Sequence, residues 1–134
     1  MPPALYLVMT LQIYDAIKNT SNSNKCLELV LFNISEVDIR CYLSMLDWTE
    51  VEVLKLVKVG LTDEQLCILL DFISDKQIET LVVTSNKLTE GSCRELLERD
   101  IAGLRNVYLG KNKILRFKVK EEMKELEEKY HIYL

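Results

Sequence analysis

The sequence has a single histidine, His131, and its four cysteines form no CxxC pair. A multi-histidine metal site is therefore excluded, and a Ser/His/Asp or Cys/His catalytic set would depend entirely on this one residue. His131 lies three residues before Leu134, and a lone histidine of this kind is ordinarily a surface or strand residue. We therefore expect no catalytic residue, no metal ligand and no cofactor, and we predict that the protein is not an enzyme.

The four glycines are also too scattered to form a phosphate-binding loop. The stretch "GKNK" at residues 110–113 lacks the earlier glycine and the GK[ST] ending that such a loop requires. The carboxylates of "KEEMKELEEK" alternate with lysines, which is typical of a solvated helix face rather than of an acid/base pair. Neither stretch predicts chemistry.

Long apolar runs and a strong net charge are absent as well. The longest apolar stretch, "ALYLVMTLQIYDAI", contains Thr10, Gln12 and Asp15 and is too short to span a bilayer. It also lacks the basic start and the cleavage site of a secretory signal. The net charge of −4 provides no general attraction to nucleic acid or to an anionic membrane. We predict an intracellular protein, either cytoplasmic or nuclear, with no nucleic-acid or membrane partner and with buried free thiols.

A short pattern recurs along the 134 residues, whose composition fits one globular domain. In "IETLVVTSNKL" apolar residues occupy Ile78, Leu81, Val83 and Leu88, and Asn86 precedes the last of them. The stretches "LRNVYLGKNKI" and "VEVLKLVKVGL" repeat this spacing, and "NKCLELVLFNI" repeats it less completely. The copies begin at residues 24, 51, 78 and 104, so the steps between them are 27, 27 and 26. Such regular steps indicate an internal repeat.

Each copy is predicted to contain a short strand followed by a helix. The strand segments are "LELVL", "LKLVK", "LVVTS" and "VYLGK", in which alternate side chains face a core. Apolar residues at helical spacing follow, and Ser35, Thr62 and Thr89 stand where helix N-caps are expected. Ser35 with Asp38 and Thr62 with Gln65 have the spacing of a capping box. The fourth helix has no such cap, and its apolar face consists of Val119, Met123, Leu126 and Tyr130.

These units cannot bury their apolar faces alone, so neighbours must stack, with a parallel sheet on one side and helices on the other. The pattern resembles the leucine-rich repeat family, LxxLxLxx(N/C)xL, and its step resembles the ribonuclease-inhibitor-like subclass. The resemblance implies an α/β solenoid of about 4–5 repeats, with a concave sheet face and a convex helix face. We divide the chain into a capping helix and polar linker at 1–23 and repeats at 24–50, 51–77, 78–103, 104–129 and, in part, 130–134.

The resemblance also assigns a structural role to two asparagines. In the family this side chain bonds backbone groups in the turn, and successive residues form a ladder. Asn86 and Asn112 would form it here. Phe32 and Val59 occupy the equivalent positions in the first two units, and neither can make that bond. We therefore expect the ladder to be broken toward the N-terminus.

Three cysteines, Cys41, Cys67 and Cys93, lie 26 residues apart, which looks like metal-ligand spacing until the repeat is noticed. We predict that they take neighbouring positions on successive helices and serve in packing.

The strand residues that miss the core should share the concave face, where apolar residues bordered by charges suggest a contact with a protein. Tyr108 is the expected anchor. Lys58 and Lys111, with Lys87 and Lys113 nearby, would favour an acidic partner. The predicted binding residues are Glu28, Val30, Leu31, Val53, Lys55, Val57, Lys58, Val82, Thr84, Asn106, Tyr108 and Lys111.

The sequence thus predicts a non-enzymatic protein-interaction module, a scaffold of unknown partner. One alternative, taken from the same family, is a regulator of small GTPases. An RNA-binding adaptor is another, and it would need a broader basic and aromatic face. The strand residues are alternatively ordinary surface, with binding through a loop or a helix. A further strand in "HIYL" would leave an open edge that joins a second copy, continues into a larger parent protein, or simply frays.

Overall fold

The computed structural model describes residues 21–23, 25–29 and 36–134. The predicted capping helix, the predicted binding residues Val30 and Leu31, the ladder position Phe32 and the Ser35 cap lie outside these residues. The side chains of residues 21–23 and 36–38 are likewise outside the description.

Short strands alternate with helices along the described chain. The strands are β1 (Ser21–Ser23), β2 (Cys26–Glu28), β3 (Val53–Lys55), β4 (Thr80–Val82), β5 (Asn106–Tyr108) and β6 (His131–Tyr133). The helices are α1 (Glu36–Ser44), α2 (Asp63–Ile73), α3 (Glu90–Glu98) and α4 (Lys120–Lys129), and a 3-10 turn at Arg116–Lys118 precedes the last of them.

The six strands form one sheet in chain order, in which β2 to β6 are parallel and β1 is antiparallel to β2. The register places Leu27, Leu54, Leu81, Val107 and Ile132 side by side on successive strands. The first four of these side chains are fully buried. Leu54, Leu81 and Val107 are therefore neighbours on parallel strands, which is the stacking that the repeated pattern predicts.

The helices pack against one another in chain order, and their apolar faces share a single core with the strand leucines. The predicted face of α4, from Val119 to Tyr130, is buried in that core. The protein is therefore an α/β structure. Strands alternate with helices along the chain, and the mainly parallel sheet packs against a layer of helices. Within the described residues, no helix combines the length and the apolar character needed to cross a bilayer.

Side-chain caps fix where α2 and α3 begin. The Thr62 hydroxyl accepts from the Gln65 amide at 3.3 Å, and the Gln65 side chain accepts from the Thr62 amide at 3.0 Å, which completes the predicted capping box. Thr89 caps α3 by accepting from the Gly91 amide at 3.4 Å. Helix α4 has no side-chain cap, as predicted. A cap of this kind contributes about 1 kcal/mol to stability.

Part of the predicted linker is a strand. Ser21, Asn22 and Ser23 pair antiparallel with Glu28, Leu27 and Cys26. Serine and asparagine have low strand propensity, so the pairing is set by the backbone groups that β2 offers on its outer side. Lys25, with φ of 63°, supplies the left-handed residue of the connecting turn.

The strands are also shorter than predicted. Each of β2 to β5 has three residues, although backbone bonds between neighbouring strands continue beyond them. The Leu56 amide donates to the Val82 carbonyl at 2.8 Å, and the Val83 amide donates to the Tyr108 carbonyl at 3.0 Å. Such bonds extend into the turns, where the Ser85 amide donates to the Gly110 carbonyl at 2.9 Å.

The cysteines do not occupy equivalent positions, and of the four thiols predicted to be buried only that of Cys93 is. Cys93 is buried, Cys67 is half-buried and Cys41 is exposed. Ile39 and Leu66 hold the buried helix position that Cys93 holds in α3, with steps of 27. Because the cysteines are spaced by 26, Cys67 lies one residue after the buried position and Cys41 lies two residues after it. Each residue corresponds to a rotation of about 100° around a helix, so these two side chains turn away from the core.

Candidate protein-binding surface

The strand residues that alternate with the buried leucines form a surface on the side of the sheet away from the helices. We call it the open sheet face. Two rows of aligned residues make it up: Cys26, Val53, Thr80, Asn106 and His131, and beside them Glu28, Lys55, Val82, Tyr108 and Tyr133. All ten are half-buried or exposed, whereas the residue between them on each of β2 to β5 is fully buried. The face is therefore accessible to a partner.

The second row changes character along the sheet. It begins with the charged residues Glu28 and Lys55 and continues with Val82, Tyr108 and Tyr133. The rings of Tyr108 and Tyr133 stack with their centroids 4.3 Å apart and their planes 11° apart. Such a pair contributes about 0.5–1.5 kcal/mol beyond the area it buries. The stack holds two large rings in one orientation while Tyr133 stays 45% exposed.

Tyr133 was missing from the residues predicted for this face. The signal that identifies it is the similarity of "RNVYL" at residues 105–109 to "YHIYL" at 130–134. The first segment contains Tyr108 and the second contains Tyr133 at the same place. Extending the predicted face by one more strand would have included this residue.

The other predicted binding residues fall on or beside the same face. Val57 and Thr84 are half-buried just beyond β3 and β4, and Lys58 and Lys111 are exposed in the turns that follow β3 and β5. The Asn106 amide donates to the Thr80 hydroxyl at 3.3 Å across the first row, so this part of the face has a fixed arrangement. The structure thus brings together all the predicted residues that it describes.

Asn86 is the centre of the turn that follows β4. Its side-chain oxygen accepts from the amides of Val59 and Leu61 in the preceding turn, at 3.0 and 3.1 Å. Its nitrogen donates to the carbonyls of Leu56, Val83 and Thr84, at 2.7, 3.0 and 3.1 Å. One side chain therefore satisfies backbone groups in two consecutive turns.

Asn112 repeats this arrangement one turn later. Its oxygen accepts from the amides of Asn86 and Leu88, at 3.0 and 3.2 Å. Its nitrogen donates to the carbonyls of Val83, Leu109 and Gly110, at 2.9, 2.8 and 3.2 Å. The predicted ladder of Asn86 and Asn112 is present, and it lies at the edge of the sheet where Lys58 and Lys111, two of the predicted binding residues, are exposed.

The same turns carry residues in the left-handed conformation. Lys58, Ser85 and Lys111 have φ of 56°, 59° and 58°, in matching positions after β3, β4 and β5. Two residues further along each turn lie Gly60, Lys87 and Lys113. We call the four lysines of these turns, Lys58, Lys87, Lys111 and Lys113, the lysine edge. All four are exposed.

A second polar cluster lies in the helix layer, around Arg99. The guanidinium donates to the Asp71 carboxylate at 2.7 Å and to the Cys67 sulfur at 2.8 Å, and it also bonds the Glu95 carboxylate. The bond to Asp71 raises the pKa of Arg99 above its ordinary value. Burial raises the pKa of the Cys67 thiol, although the positive charge of Arg99 acts in the opposite direction. This cluster joins α2 to α3 and does not provide an activated thiol.

The remaining candidates for chemistry are Cys93 and His131. Burial raises the pKa of the Cys93 thiol as well. Among the residues that the structure describes, no group of three or more His, Cys, Asp or Glu side chains is arranged to hold a metal ion. His131 is exposed on β6.

No protein-family model matches the chain, and no curated protein matches it significantly in sequence.

Proposed function

We propose that this chain is a leucine-rich-repeat solenoid that works as a non-enzymatic protein-interaction module and binds its partner through the open sheet face. The aligned template residues and the asparagine ladder support the repeat type. The free thiols of all four cysteines support an intracellular, cytoplasmic location.

The observation that carries the proposal is the stacked pair Tyr108–Tyr133 next to Val82 on a face that no described segment covers. Aromatic residues with restricted motion contribute large contact areas at low entropic cost, and they dominate many protein interfaces. The charged residues Glu28 and Lys55 at the other end of the same row supply the polar border that such interfaces have.

The open sheet face can be tested by a quantitative pull-down with three versions of the chain. The wild type is compared with the double variant Tyr108→Ala/Val82→Asp, which removes the stack and places a charge in the apolar row. The matched control is Glu121→Ala/Lys124→Ala, because both side chains are exposed on α4. Circular dichroism first establishes that all three are folded.

We expect the wild type and the α4 control to capture the same partner protein. The sheet-face variant should bind that partner at least about tenfold more weakly. A loss of this size equals about 1.4 kcal/mol, which is within the range of a single aromatic anchor. Equal capture by all three versions would refute binding through this face.

A further inference from the structure

The lysine edge is built by the register of the turns. Lys58 and Lys111 belong to one row of equivalent positions, two strands apart, and Lys87 and Lys113 are neighbours in a second row. Adjacent strands lie about 4.8 Å apart, so the two ends of the first row are separated by about 10 Å. The four ammonium groups therefore emerge along one short margin of the sheet, beside the open sheet face.

Among the described residues, these four lysines form no ion pair with a carboxylate, whereas seven other lysines and arginines do. Among the described residues, Lys25 pairs with Glu52 at 3.3 Å and Lys118 pairs with Glu90 at 3.8 Å. No such pair forms within the described chain at any of the four lysines of the edge, although the protein carries a net charge of −4. A margin of unpaired positive charge on an acidic protein favours an acidic ligand locally while the remaining surface repels it.

The residue type bears on how an acidic ligand would be held. All four residues are lysines, whose ammonium groups act as point charges and impose no fixed bidentate geometry on an acidic group. Lysine ammonium groups on flexible stems suit carboxylates that are spaced along a polypeptide. The asparagine ladder immediately beneath the edge fixes the backbone from which these stems extend.

We propose that the lysine edge binds an acidic, extended segment of a protein partner, which crosses the ends of the strands beside the open sheet face. This inference rests on the proposed function and deepens it, because it specifies the charge of the partner and the part of the protein that binds this charge. The segment carries several Glu or Asp residues within a few residues of one another.

The direct test measures fluorescence anisotropy with two labelled peptides of about ten residues. One alternates glutamate with valine, and the other has glutamine in place of every glutamate. The protein is used as wild type, as Lys87→Glu/Lys113→Glu, and as the charge-matched control Lys120→Glu/Lys124→Glu on α4. All four substituted side chains are exposed, so each variant is expected to fold, and circular dichroism checks this.

We expect the glutamate peptide to bind the wild type and the α4 control at least about tenfold more tightly than it binds the edge variant. Surface ion pairs are individually weak, but reversing two charges replaces each attraction by a repulsion. Binding should weaken steeply as salt is raised, since these contacts are exposed. Equal affinity for the glutamate and glutamine peptides, or for the two variants, would overturn the inference.

Two further results separate this inference from the proposed function. A partner that the Tyr108→Ala/Val82→Asp variant loses but the edge variant retains would leave the proposed function intact and refute the lysine edge. A single-stranded oligouridylate that binds through the same lysines more tightly than the glutamate peptide would show that the ligand is a nucleic acid, against the inference.

Discussion

Two regions link successive units of this protein, and they do so by different means. At the turns, Asn86 and Asn112 bond backbone groups that have been withdrawn from water, and Asn86 is only 8% exposed. In the helix layer, Arg99 bonds the side chains of Asp71 and Glu95 near the surface. Loss of an asparagine leaves buried amides without a partner, whereas water can replace the partners of Arg99. The comparison teaches that the neutral amide link matters more for stability than the charged one.

The largest effect is expected from Asn86→Val, which gives the turn after β4 the residue that Val59 supplies in the turn after β3. The change removes five hydrogen bonds and leaves the buried amides of Val59 and Leu61 unpaired. We expect the free energy of unfolding to fall by about 3–4 kcal/mol. Urea unfolding followed by circular dichroism measures this.

Asn112→Val provides the control for that prediction. Asn112 makes the same set of bonds but is half-buried, so water reaches part of its surroundings. Asn112→Val should therefore lower the free energy of unfolding by less, about 2–3 kcal/mol. A larger loss at Asn112 than at Asn86 would contradict the argument from burial.

Arg99→Met tests the charged link. Methionine keeps most of the apolar stem and removes the bonds to Asp71, Glu95 and Cys67. Arg99 is 18% exposed and Asp71 is 51% exposed, so solvent screens the pair and we expect a loss of only about 1 kcal/mol.

Salt separates the two kinds of link. The cost of Arg99→Met, measured by urea unfolding, should shrink when about 1 M sodium chloride is present, because salt screens exposed charges. The cost of Asn86→Val should not change in this way. If salt affects both variants equally, the distinction between the two regions fails.

The smallest effect is expected from Lys58→Gly, in the turn that contains Val59. Lys58 adopts φ of 56°, a left-handed conformation that is unfavourable for a residue with a Cβ atom. Glycine removes this cost but increases the freedom of the unfolded chain, so the net gain should be about 0.5 kcal/mol. Thermal unfolding measures it, and Lys55→Gly, within a strand, should lower stability instead.

The features that the sequence predicts correctly are those in which similar side chains recur at a fixed spacing. Leu54, Leu81 and Val107 recur because each fills the same buried position, and Asn86 and Asn112 recur because an amide both donates and accepts there. The Thr62 capping box is local, so its residues are read directly from the sequence.

The features that were missed depend on contacts between distant residues. The strand at Ser21–Ser23 exists because β2 offers backbone partners, and its side chains give no strand signal. The exposure of Cys41 follows from a shift of two residues relative to the buried helix position, which a spacing of 26 conceals. The contact of Arg99 with Asp71 spans 28 residues between two helices, and no local pattern predicts it.

The asparagine bonds also make the order of the strand–helix units along the chain matter for stability. Each of these side chains reaches back to the turn before its own, so every such turn is completed by the residue that comes after it in the chain. Opening the molecule around β5 would leave the backbone amides of Asn86 and Leu88 without partners in the part that stays folded, whereas opening it around β3 would leave only the side-chain oxygen of Asn86 without donors. Local unfolding should therefore spread from the later units toward the earlier ones more readily than in the opposite sense.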